Sequence, residues 1–272
     1  MPAARHVQIE VVQNDALAFA ADVLVLKHAQ GLYGVDDAAY RRLSQVHDAV
    51  DLPPTDEYRW VDGRGALPAA RVLFLGVGAL WEFDYVQIRE FGRRAIALLA
   101  HDARAPQHVA LTLHGVGYGL DEVEAFKSEL AGVVDALSAP VLPPGLARIS
   151  FVERDARRAQ RLAAELAIVL PTGRLQVAGS RAANDDAPAR DALQSAGSDL
   201  NAKPHVFVAM PFAPEMDDVF HYGIQGAINA AGMLAERADL SAFTGDVMEW
   251  VKARIASAEL VGEKFPAMKN IH

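Results

Sequence analysis

The sequence predicts an α/β protein in which a large three-layer unit, with helices on both faces of a sheet, precedes a smaller α/β unit. Short continuous apolar runs such as DVLVLK (22–27) are typical of strands that are buried on both faces. Stretches with the apolar spacing of helices lie between these runs, and this alternation predicts helices packed against a sheet. A polar stretch then separates the first region from a second, shorter strand–helix pattern.

Each element of the first region has its own pattern. The segments HVQIEVV, ARVLFLGVG and ARISFVERD have strand composition, and HVALTLHGVGYG runs from a strand into glycines. In the longest helical stretch, Val86, Phe91, Ile96 and Leu99 fall near one face. The predicted strands cover 6–12, 22–27, 70–78, a run from residue 108, and 147–155. The predicted helices cover 35–46, 85–103, 120–137 and 156–170.

Composition excludes several classes of function. The chain has no cysteine, which rules out disulfides, thiolate metal sites and cysteine nucleophiles. A net charge of −9 argues against general nucleic-acid binding, because no basic stripe offsets phosphate repulsion. We find no apolar run of membrane-spanning length and no secretory signal, so we expect a cytoplasmic protein without a membrane partner. His28 and His114 lack a second ligand at metal spacing, so no metal or cofactor is predicted.

The polar stretch predicts two domains joined by a linker. Residues 172–203 are rich in Ala, Ser, Asp, Asn and Gly and have few large apolar side chains, which is typical of a flexible segment. We therefore predict domains over 1–171 and 204–272, with the possibility of a short helix around Ala187 to Ser195 inside the linker.

Two glycine-bearing loops follow predicted strands in the first domain. The first is KHAQGLYGVDDA, and the second is HGVGYGLDE, in which glycines alternate just before a helix. Alternate glycines allow backbone N–H groups to face an anion, and the helix dipole favours negative charge there. The alternative reading is that these glycines only turn the chain tightly. Ligands of such sheets lie outside the carboxyl ends of the strands, where both loops are placed.

The first domain resembles a macrodomain. VVQNDALAFAADVLVLKHAQGLYGVDDAAYRRL is similar to the opening of that family, VALTLHGVGYGLDEVEAF to its phosphate loop and following helix, and LARISFVERDARRAQRLAAEL to its closing strand and helix. The segment RVLFLGVGALWEFDYVQIREFGRRA is also similar to the amino-terminal domain of leucine aminopeptidases. The resemblance implies a macrodomain-like three-layer sandwich.

The resemblance also implies a pocket of the ADP-ribose type. Asp15 takes the place of the acid that contacts adenine in that family, and hydrolytic members carry asparagine where this chain has KHAQ, which implies binding rather than hydrolysis. The other reading is a pocket that has decayed into a scaffold. The residues implied for the distal ribose are Gly31, Tyr33, Gly34 and Val35, and those for the diphosphate are Gly115, Val116, Gly117, Tyr118 and Gly119.

The second region has its own strand–helix pattern. VFVAM (206–210) predicts a strand that ends where Pro211 lacks an N–H, and 216–231 has the spacing of a helix with one buried face. A second strand is predicted over 233–237, a capped helix from Asp246, and a third strand from Leu260.

This region resembles the nucleoside 2-deoxyribosyltransferase-like family, a relative of TIR-type domains, through VFVAMPFAPEMDDVFHYGIQGAINAAG and RADLSAFTGDVMEWVKARIASAELV. The resemblance implies a small, truncated flavodoxin-like α/β unit and cleavage of N-glycosidic bonds in nucleosides, nucleotides or NAD. The chain ends before the helix that carries the family's nucleophilic glutamate, so the catalytic residues are unknown and we expect this chain to be inactive. The implied ligand residues are Met210, Pro211, Phe212, Phe243, Thr244, Gly245 and Asp246.

Three functions remain open at this point. The first is a sensor that binds an ADP-ribose-like nucleotide and controls a nucleotide-processing effector unit, as in bacterial antiviral defence. The second is an N-glycosidase or deoxyribosyltransferase in a longer form of the protein, and the third is a non-catalytic scaffold. A second unit of this size buries little surface and is marginal alone, so we expect it to pair in a homo-oligomer or to dock on the first unit.

Overall fold

The computed structural model describes residues 5–79, 84–116, 119–176, 187–197, 204–211, 213–237, 251–252 and 255–263. A seven-stranded mixed sheet forms the first unit, with the strand order β3-β4-β2-β5-β6-β1-β7. Its strands are β1 (His6–Gln13), β2 (Val23–His28), β3 (Tyr58–Asp62), β4 (Arg71–Gly76), β5 (His108–Leu111), β6 (Arg148–Glu153) and β7 (Arg174–Gln176). The flanking helices are α1 (Gly34–Leu43), α2 (Tyr85–Leu99), α3 (Glu122–Leu137), α4 (Ala156–Val169) and α5 (Ala187–Leu193).

The centre of this sheet is parallel and its two edges are antiparallel. Strands β4, β2, β5, β6 and β1 run in one direction, while β3 pairs antiparallel with β4 and β7 antiparallel with β1. Side chains alternate between two cores: Val23 and Val25 of β2 enter one, and Leu24 and Leu26 enter the other. Helices α2 to α5 cover the first core and α1 covers the second, so the predicted three-layer α/β sandwich is confirmed.

Helices α2 and α3 approach each other closely because glycine occupies two positions of their contact, where any side chain would collide with the facing helix. A Cβ on Gly92 would lie 2.3 Å from the backbone oxygen of Glu129, and one on Gly132 would lie 1.9 Å from that of Arg89. The start of α2 is fixed by a capping box, in which Asp84 and Gln87 each bond the backbone N–H of the other.

The second unit contains a three-stranded parallel sheet with the order β10-β8-β9. The first strand in sequence is therefore central, with the second and third on its two sides, which is how a flavodoxin-like 2-1-3-4-5 sheet begins. Its elements are β8 (His205–Ala209), a 3-10 helix (Pro214–Met216), a π-helix (Val219–Gln225), α6 (Gly226–Ala230), β9 (Leu234–Glu236) and β10 (Leu260–Glu263). The predicted third strand is β10, and the predicted strand at 233–237 is β9.

The structure differs from the sequence-based expectations in three places. Edge strands β3 and β7 had no predicted counterpart. The segment predicted as a flexible linker holds β7 at its start, and α5 buries Leu193 in the main core, so these parts of it are ordered by packing. The predicted helix over 216–231 contains a π-helical stretch. The division into domains at 171/172 and 203/204 stays a prediction, and the predicted helix from Asp246 lies outside the described residues.

Within the described part of the chain, every helix is too short or too polar to cross a membrane. The same residues contain no group of three or more His, Asp or Glu side chains arranged to hold a metal ion.

We expect Gly132→Ala to lower the free energy of unfolding by about 1–3 kcal/mol, because the added methyl group forces α2 and α3 apart. Gly223→Ala is the control, since a Cβ at that helical position meets nothing within 4 Å. Chemical denaturation of both variants measures the effect. Equal stability of the two variants would contradict the close helix contact.

Candidate functional site

A cleft of about 540 Å³ opens at the carboxyl ends of four neighbouring parallel strands, β2, β5, β6 and β1. Parallel strands bring their carboxyl ends to one edge of the sheet, so the segments that follow them meet there. The lining residues are Asp15, Ala16, Leu17, Gly34, Val35, Ala38, Arg42, Thr112, Leu113, Val152, Glu153 and Arg154. The cleft therefore combines apolar walls with two acidic and two basic side chains.

Asp15 lies in a tight turn directly after β1. Its Oδ1 accepts the backbone N–H of Leu17 at 2.9 Å, and its own N–H donates to Oδ1 of Asn14 at 2.8 Å. These bonds fix the half-buried side chain in the mouth of the cleft. No other described residue hydrogen-bonds the Asp15 carboxylate, so Oδ2 can accept a hydrogen bond from a ligand.

The first loop contributes the start of α1 to the cleft. Gly34 has φ +53°, and nothing lies within 4 Å of the position that its Cβ would take. Gly34 and Val35 line the cleft, whereas Gly31 and Tyr33 do not. The Tyr33 ring instead covers Gly31 and packs against the main core.

Thr112 and Leu113, the two residues just before the second loop, line the cleft. Gly115 and Gly119 of the loop have φ of +87° and +91° and are not among the lining residues. The N–H of Leu120 donates to the Gly115 carbonyl at 3.3 Å, which closes the loop on itself. Val116 borders a separate small cavity, and the sequence-predicted residues Gly117 and Tyr118 lie outside the described residues.

Two arginines line the cleft that the sequence prediction missed. Arg42 projects from the last turn of α1 and donates to the Leu17 carbonyl at 3.1 Å. Arg154 follows β6, is exposed, and has no polar contact with another described residue. Its position directly after a buried strand is the signal that could have identified it, because that is where ligand-contacting residues of such sheets lie.

The titratable side chains buried beside the two loops include Lys27, Asp36, His114 and Glu129. Lys27 Nζ donates to Asp36 Oδ2 at 2.7 Å. Burial raises the pKa of Asp36 even though Lys27 opposes the shift. Burial also holds the pKa of His114 well below its usual value, so the ring is neutral.

Glu129 is fully buried on α3. Burial raises its pKa well above the usual value for glutamate, and the His114 backbone N–H and the Lys27 charge only partly oppose this. A carboxyl group in such a place is stable as the neutral acid.

The sequence-predicted residues of the second unit are only partly described. Met210, directly after β8, is buried in the small core of that unit, and Pro211, the next residue, is exposed. Phe212, Phe243, Thr244, Gly245 and Asp246 lie outside the described residues.

Comparisons with known proteins identify similar structures but no matching family. No protein-family model matches the chain, and no curated protein sequence does. The Oceanobacillus iheyensis macrodomain with ADP is 18% identical, with a TM-score of 0.45 over 60% of this chain and 92% of that one. The Trypanosoma brucei macrodomain in complex with ADP-ribose is 20% identical, with a TM-score of 0.44 over 59% of this chain and 69% of that one.

We expect the stability of the chain to fall as the pH rises through the raised pKa of Glu129. The folded state binds the proton more tightly than the unfolded state, so this contribution is complete below the ordinary pKa of 4.5 and is lost above the folded value. Glu129→Gln should flatten this dependence in thermal unfolding measured from about pH 5 to about pH 9. The control Glu90→Gln, at a half-exposed position of α2, should leave it unchanged. An unaltered pH profile in Glu129→Gln would refute the assignment.

Proposed function

We propose that the cleft binds an ADP-ribose-like nucleotide. The observation that carries this proposal is the meeting of Asp15, the start of α1, and Thr112 and Leu113 in one cleft at the carboxyl edge of the sheet. The macrodomain resemblance implies a contact of Asp15 to adenine and of Gly34 and Val35 to ribose. Thr112 and Leu113 lead directly into the loop for which it implies contacts to diphosphate. A nucleotide in the cleft would therefore touch three segments that are far apart in the sequence.

The chemistry of the cleft suits a nucleotide. The Asp15 carboxylate can accept a hydrogen bond from the exocyclic amino group of adenine, while Leu17 and Val152 provide apolar surface for the base. Gly34 leaves its backbone open to a close approach by the ligand. Arg42 and Arg154 supply positive charge that offsets the charge of a diphosphate.

We propose binding rather than hydrolysis at this site. Lys27 and Asp36 neutralise each other in a buried ion pair, and His28 Nδ1 is hydrogen-bonded to the Pro53 carbonyl at 2.8 Å. The charged and titratable groups around the first loop are therefore engaged in structure. This supports the interpretation that the KHAQ segment belongs to a domain that binds its ligand and does not hydrolyse it.

We propose that the second unit acts as an effector that the cleft controls. Its strand order is that of the first three strands of a flavodoxin-like sheet, and it packs on the start of α3 at Asp121. We infer that nucleotide binding in the cleft is communicated to this unit. The hypothesis includes four further points. They are a likeness of this unit to nucleoside 2-deoxyribosyltransferases, an N-glycosidase activity, a role in antiviral defence and a homo-oligomeric state.

Calorimetric titration of the full chain with ADP-ribose tests the binding proposal. We expect Asp15→Ala to weaken binding about tenfold, or about 1.4 kcal/mol, because one charge-assisted hydrogen bond is lost. Asp191→Ala, at an exposed position of α5 away from the cleft, should bind like the wild type. Absence of heat with ADP-ribose, NAD and their cyclic derivatives would favour the scaffold alternative.

A pair of glycine substitutions separates ligand contact from backbone strain. Gly34 and Gly65 both have positive φ with open space around them, but Gly65 lies in the β3–β4 turn at the opposite edge of the sheet. Gly34→Leu and Gly65→Leu should each cost about 1–2 kcal/mol of stability. We expect ADP-ribose binding to be lost only in Gly34→Leu. Retained binding in Gly34→Leu would show that the ligand does not contact this loop.

A further inference from the structure

The second unit is attached to the first by a buried carboxylate. Asp121 caps α3, and its Oδ1 accepts the N–H groups of Val123 and Glu124, both at 3.0 Å. Its Oδ2 accepts two bonds from the second unit, from Gln225 Nε2 at 3.0 Å and from the Ala235 N–H at 3.1 Å. Asp121 is only 1% exposed, so these bonds replace the water that the carboxylate would otherwise hold.

Further contacts hold the chain around Asp121 against the second unit. The Tyr85 hydroxyl accepts the Asp121 N–H at 2.8 Å and donates to Glu236 Oε1 at 3.1 Å, which links α2, α3 and β9. The Arg237 N–H donates to the carbonyl of Gly119 at 3.0 Å. Leu234 of β9 also enters the main core of the first unit.

These contacts hold the end of the second loop. Thr112 and Leu113 line the cleft directly before the second loop, and the carbonyl of Gly119 in that loop is bonded to the second unit. Gly115 and Gly119 occupy the left-handed region, which glycine adopts without steric cost. The second unit therefore restrains the loop that directly follows the cleft-lining residues Thr112 and Leu113.

The remaining polar contacts across the interface are peripheral. Arg157 and Asp218 pair at 2.9 Å, but both side chains are more than half exposed, and such a pair contributes little. Arg161 Nη2 lies 3.2 Å from Nε2 of His221 at the same rim. The buried bonds to Asp121 and Glu236, together with Leu234 in the main core, are thus the main contacts that hold the second unit in place.

We propose that residues 204–237 act as an intramolecular regulator of the cleft, docking through Asp121 and Gly119 to set the conformation of the second loop. Through this restraint the docking of the second unit and the affinity of the cleft for a nucleotide are coupled, and the coupling is reciprocal. The proposal rests on the proposed function for its ligand, but the docking and its effect on the loop occur without ligand.

Gln225→Glu tests the proposed regulation by a change in the second unit, and it leaves the Asp121 cap of α3 unchanged. It replaces the amide donor by a carboxyl group that faces Asp121 Oδ2. At alkaline pH, where the two carboxyl groups no longer share a proton, their charges repel each other and the second unit should undock. Gln225→Met removes the donor without adding charge and should give an intermediate effect. Gln160→Glu makes the same chemical change at an exposed position of α4 and is the matched control.

The first measurement is hydrogen exchange of the full chain without ligand. We expect faster exchange over 113–124 in Gln225→Glu, a smaller increase in Gln225→Met, and none in Gln160→Glu. Wild-type exchange in both Gln225 variants would overturn the proposal, whether or not the cleft binds a nucleotide.

The second measurement is the ADP-ribose affinity of the same proteins, for which we expect about tenfold weaker binding in Gln225→Glu. Equal affinity of wild type and Gln225→Glu would disprove the coupling and leave the proposed function standing. If the wild type does not bind, the proposed function fails, and the exchange experiment decides whether the second unit controls the loop.

Discussion

The parallel arrangement of the five central strands is the constraint on which the site depends. Each parallel connection must cross a face of the sheet, so helices cover both faces and every strand delivers its carboxyl end to the same edge. Asp15, Gly34 and Thr112 are far apart in sequence but meet because they follow strands of this set. The cleft is therefore a consequence of strand direction, and its chemistry is set by a few residues at each strand end.

Much of the sheet could be predicted because its buried strands are continuous apolar runs. The edge strands could not: Tyr58–Asp62 carries charged residues, and Arg174–Gln176 is three residues long within a polar stretch, so each is defined by pairing with its neighbour. In the site, Asp15 and Gly34 were implied by the macrodomain resemblance, and Arg154 could have been predicted from its position directly after a buried strand. The buried Glu129 could not be predicted, because spacing alone does not reveal which polar side chains packing will enclose.

The second loop illustrates the limit of a glycine pattern. Spacing indicates that Gly115 and Gly119 are conformationally permissive, but not which way the backbone N–H groups point. In the structure the loop is closed by its own hydrogen bonds, and its last carbonyl is taken by the second unit. Leu113, just before the loop, lines the cleft, whereas Gly119 within the loop belongs to the interface with the second unit.

The buried pair of Lys27 and Asp36 has a consequence for how this chain can diverge. Loss of either partner leaves the other charge buried and uncompensated, which costs several kcal/mol, whereas replacing both with apolar residues of similar volume is nearly neutral. Positions 27 and 36 are nine residues apart on different elements, yet a viable lineage must change them together or pass through a strongly destabilised intermediate. Among homologous sequences this pair should therefore covary more strongly than the exposed charges around it.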